Sequence, residues 1–223
     1  NDPTTICPTD PAGNFPSIVN QVIAEEIDQP YLINKIFLDN YNCRATSPEN
    51  CPMVTNEIIA AFNQGNQIIS YNGHGAITNW ASEKIFHVDH IPQISNQDLY
   101  PVVLSLDCVD GYWYFPPTLP NQTTDRRSLA EELTRVSGKG AVAMLSSPGN
   151  GYVNGQELLQ RGFFSAFSNY VDPTLGTLDL SAKLNLMANH GNDSLIFTYM
   201  IFGDPALQLS PTRWGIYLPL VTR

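Results

Sequence analysis

The most informative stretch of this chain is Gln67-Ile68-Ile69-Ser70-Tyr71-Asn72-Gly73-His74-Gly75, an apolar run that passes at once into a glycine-containing turn. A second apolar run, residues 101–106, ends in the same way with Asp107-Cys108-Val109-Asp110-Gly111. In an open α/β sheet, side chains at the carboxyl ends of strands project into the crevice where ligands bind. Two such ends bring an imidazole and a thiol together, so His74 and Cys108 are a candidate base and nucleophile.

The segments around these two runs alternate between helical and extended patterns. Apolar residues recur at helical spacing in residues 16–28, 52–63, 128–136, 154–170, 175–189 and 194–202, whereas residues 31–38 and 141–145 have the pattern of strands. Ser128 with Glu131, and Asn154 with Glu157, have the spacing of helix caps, and Pro52 suits a first helical turn. This order predicts an α/β fold whose mainly parallel sheet is covered by helices on both faces.

The remaining segments predict irregular structure. We expect loop and short helix over residues 76–95, and a long loop over residues 111–127 that is rich in Tyr, Pro and Thr. The domain is expected to span residues 1–209, followed by a tail over residues 210–223 that adds an edge strand or lies across the domain.

Composition restricts the function classes. A length of 223 residues, with 43% hydrophobic and 14% charged residues, predicts one folded domain. The formal charge of -10 and the lack of a Lys/Arg cluster disfavour nucleic acid as a partner. No apolar stretch approaches the ~20 residues that span a bilayer. No basic start followed by an apolar block has the pattern of a signal peptide, so we expect the start of a mature or truncated chain.

The four cysteines have different expected roles. Cys43 and Cys51 bracket a polar loop that a disulfide would staple, the alternative being two free surface thiols in a reducing cell. Cys7 pairs either with a residue outside this chain or with none, which leaves Cys108 as the odd thiol. Zinc is disfavoured, because His87 and His90 form a lone HxxH without further ligand spacing.

The chemistry expected of His74 and Cys108 is nucleophilic catalysis. A thiol attacks as the thiolate, and a neighbouring imidazolium favours that form and later donates a proton to the leaving group. The backbone amides of Gly75 and Cys108 are candidate oxyanion donors, because a turn after a strand leaves amides unpaired. The alternative is that both residues have structural roles only, because buried cysteines are common and Gly-His-Gly also occurs in ordinary turns.

Five stretches together resemble one family. They are Asn72-Gly73-His74-Gly75, Cys108 with its loop, Ser128-Leu129-Ala130-Glu131, Gly140-Ala141-Val142-Ala143 and Phe202-Gly203-Asp204-Pro205-Ala206-Leu207. The chain is similar over residues 13–209 to the gingipain-type cysteine peptidases, peptidase family C25 of the caspase-like clan. The resemblance implies a caspase-like three-layer sandwich, His74 as general base and acid, Cys108 as nucleophile, and a protein or peptide as substrate.

The resemblance carries further expectations. It implies a secreted or cell-surface location and no required cofactor. It also implies that calcium can bind, because the family often uses this ion. The sequence has no EF-hand spacing and assigns no metal site. Members usually carry a strand and a helix upstream of the segment matching residues 1–16, so we expect a separate upstream chain or propeptide, or else a fragment. The acid that orients the histidine comes from that region in some members, and no residue here is assigned to it.

Substrate recognition is expected near the loop over residues 146–154, which resembles the place where the family builds part of its side-chain pocket. This loop has no carboxylate, so a preference for Arg or Lys is unsupported. Candidate substrate contacts are Tyr112, Trp113, Ser147 and Tyr152. The aromatic residues either form the pocket or cover the sheet. Asp107 and Asp110 are expected to point away from the thiol, bind calcium or meet a basic group, and Asp204 is expected to form a turn.

Two other function classes stay open at this point. A transpeptidase or processing enzyme would use the same acyl-enzyme and pass it to an amine, which the mass of the product would reveal. A non-catalytic cell-surface interaction domain would keep the fold without reacting at Cys108.

Overall fold

A mainly parallel sheet runs through the molecule and positions the candidate site. The computed structural model describes residues 12–27, 31–41, 43, 50–114, 127–190, 194–209 and 220–222. The helices are α1 (Phe15–Glu26), α2 (Pro52–Asn63), α3 (Leu129–Arg135), α4 (Val153–Asn169), α5 (Leu175–His190) and α6 (Leu195–Thr198), with 3-10 helices at Leu38–Asn40 and Val88–Gln93. The strands are β1 (Lys35–Phe37), β2 (Ile68–Asn72), β3 (Gly75–Ala76), β4 (Asn79–Trp80), β5 (Phe86–His87), β6 (Val102–Leu106), β7 (Ala143–Ser146), β8 (Met200–Phe202) and β9 (Leu220–Thr222).

In the described part of the chain the main sheet has six strands, in the order β1-β9-β2-β6-β7-β8. Its neighbouring strands are parallel except for β7 and β8, which are antiparallel. Asn72 lies opposite Leu106, so β2 and β6 end at the same level of the sheet. The turns that carry His74 and Cys108 therefore leave adjacent strands at one edge.

Helices cover both faces of this sheet, as predicted. On one face, Tyr71, Val103 and Met144 belong to a buried cluster with residues of α2 and α3. On the other face, Val102, Leu104 and Leu145 pack in a second cluster with residues of α1, α4 and α5. Alternate residues of one strand thus enter different cores, which is why these strands are mainly apolar and lack the alternation of a half-exposed strand. The three-layer α/β fold is confirmed.

Local sequence signals explain several helix starts. The Ser128 hydroxyl accepts from the Glu131 amide at 3.3 Å, and the Glu131 carboxylate accepts from the Ser128 amide at 3.0 Å, which confirms the capping box. Pro52 occupies the first turn of α2, also as predicted. The cap predicted at Asn154 is wrong, because α4 begins one residue earlier, at Val153, with no side-chain cap.

Several extended segments differ from the prediction. Residues 194–202 contain both α6 and the strand β8, since a short apolar run has no periodicity that separates helix from strand. Residues 76–95 contribute to an antiparallel sheet in the order β3-β4-β5, followed by a 3-10 helix. The strand expected over residues 31–38 is shortened to Lys35–Phe37.

The end of the chain also differs from the prediction. Leu220–Thr222 forms an interior strand, paired in parallel with β1 on one side and with β2 on the other. The predicted edge position is wrong, because pairing with distant strands leaves no local signal that separates an interior strand from an edge strand. Residues 210–219 lie outside the described residues.

The predicted disulfide is present between Cys43 and Cys51, whose Cα atoms lie 5.2 Å apart. Both cysteines are buried beside α2, so the cross-link joins the start of that helix to the core. Cys7 and the loop residues 44–49 lie outside the described residues. None of the described helices has the length and apolar character needed to cross a bilayer.

Candidate active site

His74 is held by its backbone in the turn after β2. The Gly73 amide donates to the Leu106 carbonyl at 3.3 Å, which ties this turn to the end of β6. The His74 carbonyl accepts from the Tyr71 hydroxyl and from the Ala81 amide, each at 2.7 Å. The imidazole meets the Phe15 ring edge-on, with ring centroids 5.8 Å apart. The aromatic ring from α1 and the two backbone anchors therefore restrict the position of the imidazole.

Cys108 lies in a turn that is anchored at each neighbouring residue. The Asp107 carbonyl accepts from the Gln156 side-chain amide at 2.6 Å, and the Val109 amide donates to the Gly149 carbonyl at 3.1 Å. Val109 has a φ of 59°, a left-handed conformation that is strained for a β-branched residue. Such strain persists where the surroundings impose it, often at functional sites. The turn presents the Cys108 side chain at the end of β6.

Gly151 contacts the sulfur from the loop after β7. Its amide donates to the Cys108 sulfur at 3.2 Å, and its carbonyl lies 3.6 Å from the same sulfur. An amide hydrogen directed at sulfur stabilises the negative charge of a thiolate, whereas the carbonyl accepts from the neutral thiol. Gly151 thus serves both protonation states of Cys108.

His74 and Cys108 line the same cavity of about 340 Å³. Its other described lining residues come from α1 and the segment before it, from the turn after β2, and from the loop and first turn of α4: Ala12, Phe15, Gly73, Gly151, Tyr152, Val153, Asn154 and Gln156. The sequence predicts the imidazole and the thiol at one sheet edge, and the structure brings both to one opening. Cys108 is partly exposed there.

The other predicted site residues divide into two groups. Tyr152 lines the cavity, whereas Tyr112, Trp113 and Ser147 are not among its lining residues. Trp113 is 53% exposed, so it does not cover the sheet either. Ser147 is buried, and its hydroxyl accepts from the Gly149 amide at 3.1 Å within the turn after β7.

Gly75 is not a lining residue, but it lies at the contact between the turns that carry His74 and Cys108. A Cβ atom placed on Gly75 would lie 2.0 Å from the Asp107 Oδ2 atom and 2.7 Å from the Cys108 carbonyl oxygen. The absence of a side chain at Gly75 therefore allows the turn after β2 to pack directly on the turn after β6.

Sequence reasoning missed Ala12, Phe15 and Gln156, and it did not single out Gly151, Val153 and Asn154 within the loop 146–154 that it predicted for substrate recognition. The sequence contained a signal for Gly151, because Gly149-Asn150-Gly151 is a glycine-containing turn after a buried strand, like the turns of His74 and Cys108. Phe15 and Gln156 had none, because each looks like an ordinary residue in the first turn of an amphipathic helix.

Asp107 and Asp110 form a buried acidic pair within the Cys108 turn. Asp110 accepts from the Ser105 hydroxyl at 2.7 Å, from the Trp80 indole at 3.1 Å and from the Ser146 hydroxyl. It therefore meets neutral donors, and the expectation of a basic partner is wrong for this residue. Within the described residues, neither of the two buried carboxyl oxygens of Asp107 has a hydrogen-bond partner. Burial and the charge of Asp110 raise the pKa of Asp107 well above its ordinary value, and burial raises the pKa of Asp110.

This pair makes stability depend on pH. The raised pKa means that folded Asp107 keeps a proton that the unfolded chain releases above about pH 4. The free energy of unfolding should therefore fall as pH rises from that point through the raised pKa of Asp107. Asp107→Asn has no proton to lose, so we expect a shallower fall and, at about pH 8, a variant at least as stable as the wild type. Urea unfolding at about pH 5 and about pH 8 measures both quantities.

Asp110→Asn is the matched control for this prediction. It replaces a carboxyl that accepts three hydrogen bonds, and should cost about 2 kcal/mol at about pH 5. The cost should be smaller at about pH 8, because burial raises the pKa of Asp110 too. Tyr199 keeps its proton over this range, because burial and the nearby carboxylates raise its pKa. Equal losses in the two variants, or a wild-type pH slope in Asp107→Asn, would contradict the assignment of a protonated Asp107.

No metal site can be placed in the described part of the chain. Within the residues that the structure describes, no group of three His, Cys, Asp or Glu side chains could hold a metal ion. His87 and His90 act locally: the His90 ring accepts from the His87 amide at 3.0 Å, and the His87 ring accepts from the Asp89 amide at 3.1 Å. Calcium binding stays a prediction.

Comparison with known proteins identifies related sequences. The sequence model of peptidase family C25 matches residues 7–210. The chain is 29% identical over 175 residues to gingipain R1 of Porphyromonas gingivalis, covering 73% of this chain and 17% of that protein. It is 28% identical over 176 residues to gingipain R2 of Porphyromonas gingivalis strain W83, covering 73% of this chain and 22% of that protein. The chain thus spans less than a quarter of these two curated relatives.

Solved structures show the same architecture. The crystal structure of the Arg-specific cysteine proteinase gingipain R (RgpB) matches with a TM-score of 0.61 and 26% identity, covering 70% of this chain and 36% of that one. The complex of the pro- and mature domains of RgpB from Porphyromonas gingivalis matches with a TM-score of 0.63 and 18% identity, covering 86% of this chain and 53% of that one. At 18% identity, the second match supports a similarity of fold alone.

Proposed function

Because the chain belongs to peptidase family C25, we propose that it is a cysteine endopeptidase that uses Cys108 as nucleophile and His74 as general base and acid. One observation carries this proposal: both side chains line one cavity at the ends of adjacent parallel strands. The partly exposed thiol has access to a substrate, and the Gly151 amide stabilises its sulfur.

The reaction begins when His74 takes the proton of the Cys108 thiol. The sulfur attacks the carbonyl carbon of the scissile peptide bond, and the carbonyl electrons move to oxygen. The amides of Gly75 and Cys108 are the proposed donors to this oxyanion. The C–N bond then breaks as His74 returns its proton to the leaving amine, which leaves a thioester on Cys108.

Hydrolysis of the thioester completes the cycle. His74 accepts a proton from water as the oxygen attacks the thioester carbonyl. The C–S bond then breaks, its electrons stay on sulfur, the carboxylic acid leaves, and His74 returns the proton to the sulfur. Transfer to an amine would use the same thioester, and the mass of the product distinguishes the two outcomes. No described lining residue is a carboxylate, so the acid that would orient His74 is not assigned.

Location and partners are part of the same proposal. The Cys43–Cys51 disulfide suits an oxidising compartment, which supports a secreted or cell-surface enzyme. One related structure is a complex of pro- and mature domains, and it supports an upstream chain or propeptide as a partner here. The Arg specificity of gingipain R (RgpB) is not carried over to this chain, because no described residue lining the cavity is acidic.

A covalent probe tests the proposed dyad. A mixture of peptidyl acyloxymethyl ketones with different side chains before the reactive carbonyl is added to the folded protein, and the adduct is located by peptide mapping. We expect one adduct, on Cys108, because an activated thiolate displaces the acyloxy group. Cys108→Ala should give none, and His74→Ala should react far more slowly.

His90→Ala is the matched histidine control. Its ring lies outside the cavity and accepts a hydrogen bond from the His87 amide, so its adduct should form at the wild-type rate. Absence of an adduct on folded wild-type protein would reject the peptidase in favour of a non-catalytic domain. An adduct that forms equally fast in His74→Ala would reject the role of the imidazole.

A further inference from the structure

The cavity beside Cys108 has a mainly uncharged lining among its described residues. Apart from His74 and Cys108 themselves, its described lining residues include no Asp, Glu, Lys or Arg. We propose that this cavity binds an uncharged, apolar side chain, that of the substrate residue whose carbonyl Cys108 attacks. The inference rests on the proposed peptidase activity and adds its substrate class.

The walls of the cavity suit such a side chain. Phe15 and Ala12 lie on one side, and Tyr152 and Val153 come from the loop and first turn of α4. The volume of about 340 Å³ falls in the range of sites that enclose small ligands, about 300–1,000 Å³. Two side-chain amides line the cavity, and that of the buried Gln156 already donates to the Asp107 carbonyl at 2.6 Å, which leaves Asn154. Removal of apolar area from water is therefore the main favourable contribution available here.

A cationic side chain finds no described partner in this cavity. Asp107 and Asp110 are fully buried inside the Cys108 turn and inaccessible to a ligand. Glu157 follows Gln156 in α4, but its carboxylate accepts from Arg161 at 2.9 Å and does not line the cavity. Burying a guanidinium or ammonium without an acid carries a large desolvation cost.

An anionic side chain is disfavoured by the same reasoning. No described lining residue is Lys or Arg. Arg161, on the same helix as Val153, is already bound by Glu25, Glu26 and Glu157. The chain as a whole carries a formal charge of -10, which repels acidic substrates at longer range. The described lining therefore favours a substrate with a neutral side chain at the residue whose carbonyl Cys108 attacks.

Individual probe rates test this inference. Acyloxymethyl ketones that differ only in the residue before the reactive carbonyl are compared by their second-order rate constants for labelling Cys108. We expect Phe and Leu probes to react at least about tenfold faster than Arg, Lys and Asp probes, a typical discrimination for a side-chain pocket. A faster Arg, Lys or Asp probe overturns the substrate class while leaving the dyad intact. Absence of labelling by every probe overturns the peptidase proposal, and this inference falls with it.

A charge-gain variant gives a second readout. Asn154 lines the cavity from the first turn of α4, where an acidic residue is also favoured by the helix dipole. Asn154→Asp should raise the Arg rate relative to the Phe rate by about tenfold, equivalent to about 1.4 kcal/mol. Asn169→Asp adds the same charge at the other end of α4, outside the cavity, and should leave the ratio unchanged. An equal change in both variants, or none in Asn154→Asp, overturns the assignment of this cavity to the substrate side chain.

Discussion

Peptide hydrolysis is expected to fall to background in Cys108→Ala and by about a hundred- to ten-thousandfold in His74→Ala. Without the sulfur no thioester forms, so the nucleophilic route is lost completely. Without the imidazole, no other described lining residue of the cavity is an acid or base that could take the thiol proton and return it to the leaving amine. Steady-state rates on a peptide with Phe before the scissile bond measure both effects.

The distribution of the loss between kcat and KM is as informative as its size. His74 acts on protons that move in the transition state, so its removal should lower kcat and leave KM nearly unchanged. Thermal unfolding checks that each variant is folded. A His74→Ala variant that is folded and keeps more than about a tenth of the wild-type kcat is incompatible with a base at this position. Products in which the acyl peptide is linked to the amine of a second peptide would identify a transpeptidase that uses the same dyad.

The parts of the fold that local chemistry determines were predictable from the sequence. Residues of β2 and β6 are buried on both faces, and such strands are apolar without alternation. Ser128 and Glu131 satisfy each other's backbone amides within four residues, so their capping box needs no tertiary information. In contrast, the interior position of β9 depends on pairing with residues far away in sequence, and no local pattern specifies it.

The candidate site likewise has features that the sequence predicts and contacts that it does not. His74 and Cys108 follow strands that end level with each other, so the positions of the strand ends in the sequence sufficed to place them at one edge. The Gly151 amide reaches the sulfur from a turn 43 residues away, and Phe15 meets the imidazole from α1. These contacts depend on how loops and helices pack on the sheet. The raised pKa of Asp107 depends mainly on complete burial, which the acidic character of the residue alone does not predict.

Gly75→Ala is expected to lower activity by at least about a hundredfold, the loss that a displacement of about 1 Å causes at a catalytic site. The added Cβ would lie 2.0 Å from the Asp107 Oδ2 atom, 2.5 Å from its Cγ atom and 2.7 Å from the Cys108 carbonyl oxygen. Neither a fully buried carboxyl nor a backbone carbonyl gives way as a flexible side-chain end does. The turn after β2 must therefore move away from the turn after β6, which separates His74 from Cys108. Overpacking should also reduce stability by about 1–3 kcal/mol.

Gly149→Ala provides the matched control, because Gly149 lies beside the same turn and its carbonyl accepts from the Val109 amide. A Cβ there would lie 3.6 Å from the nearest neighbouring atom, the Thr198 Cγ2, an ordinary contact that should leave kcat/KM within about a factor of three. Asp107→Ala in the Gly75→Ala background removes two of the three closest atoms, so part of the lost stability should return. Wild-type activity and stability in Gly75→Ala, or identical losses in Gly149→Ala, would show that the close contact between the two turns does not hold His74 against Cys108.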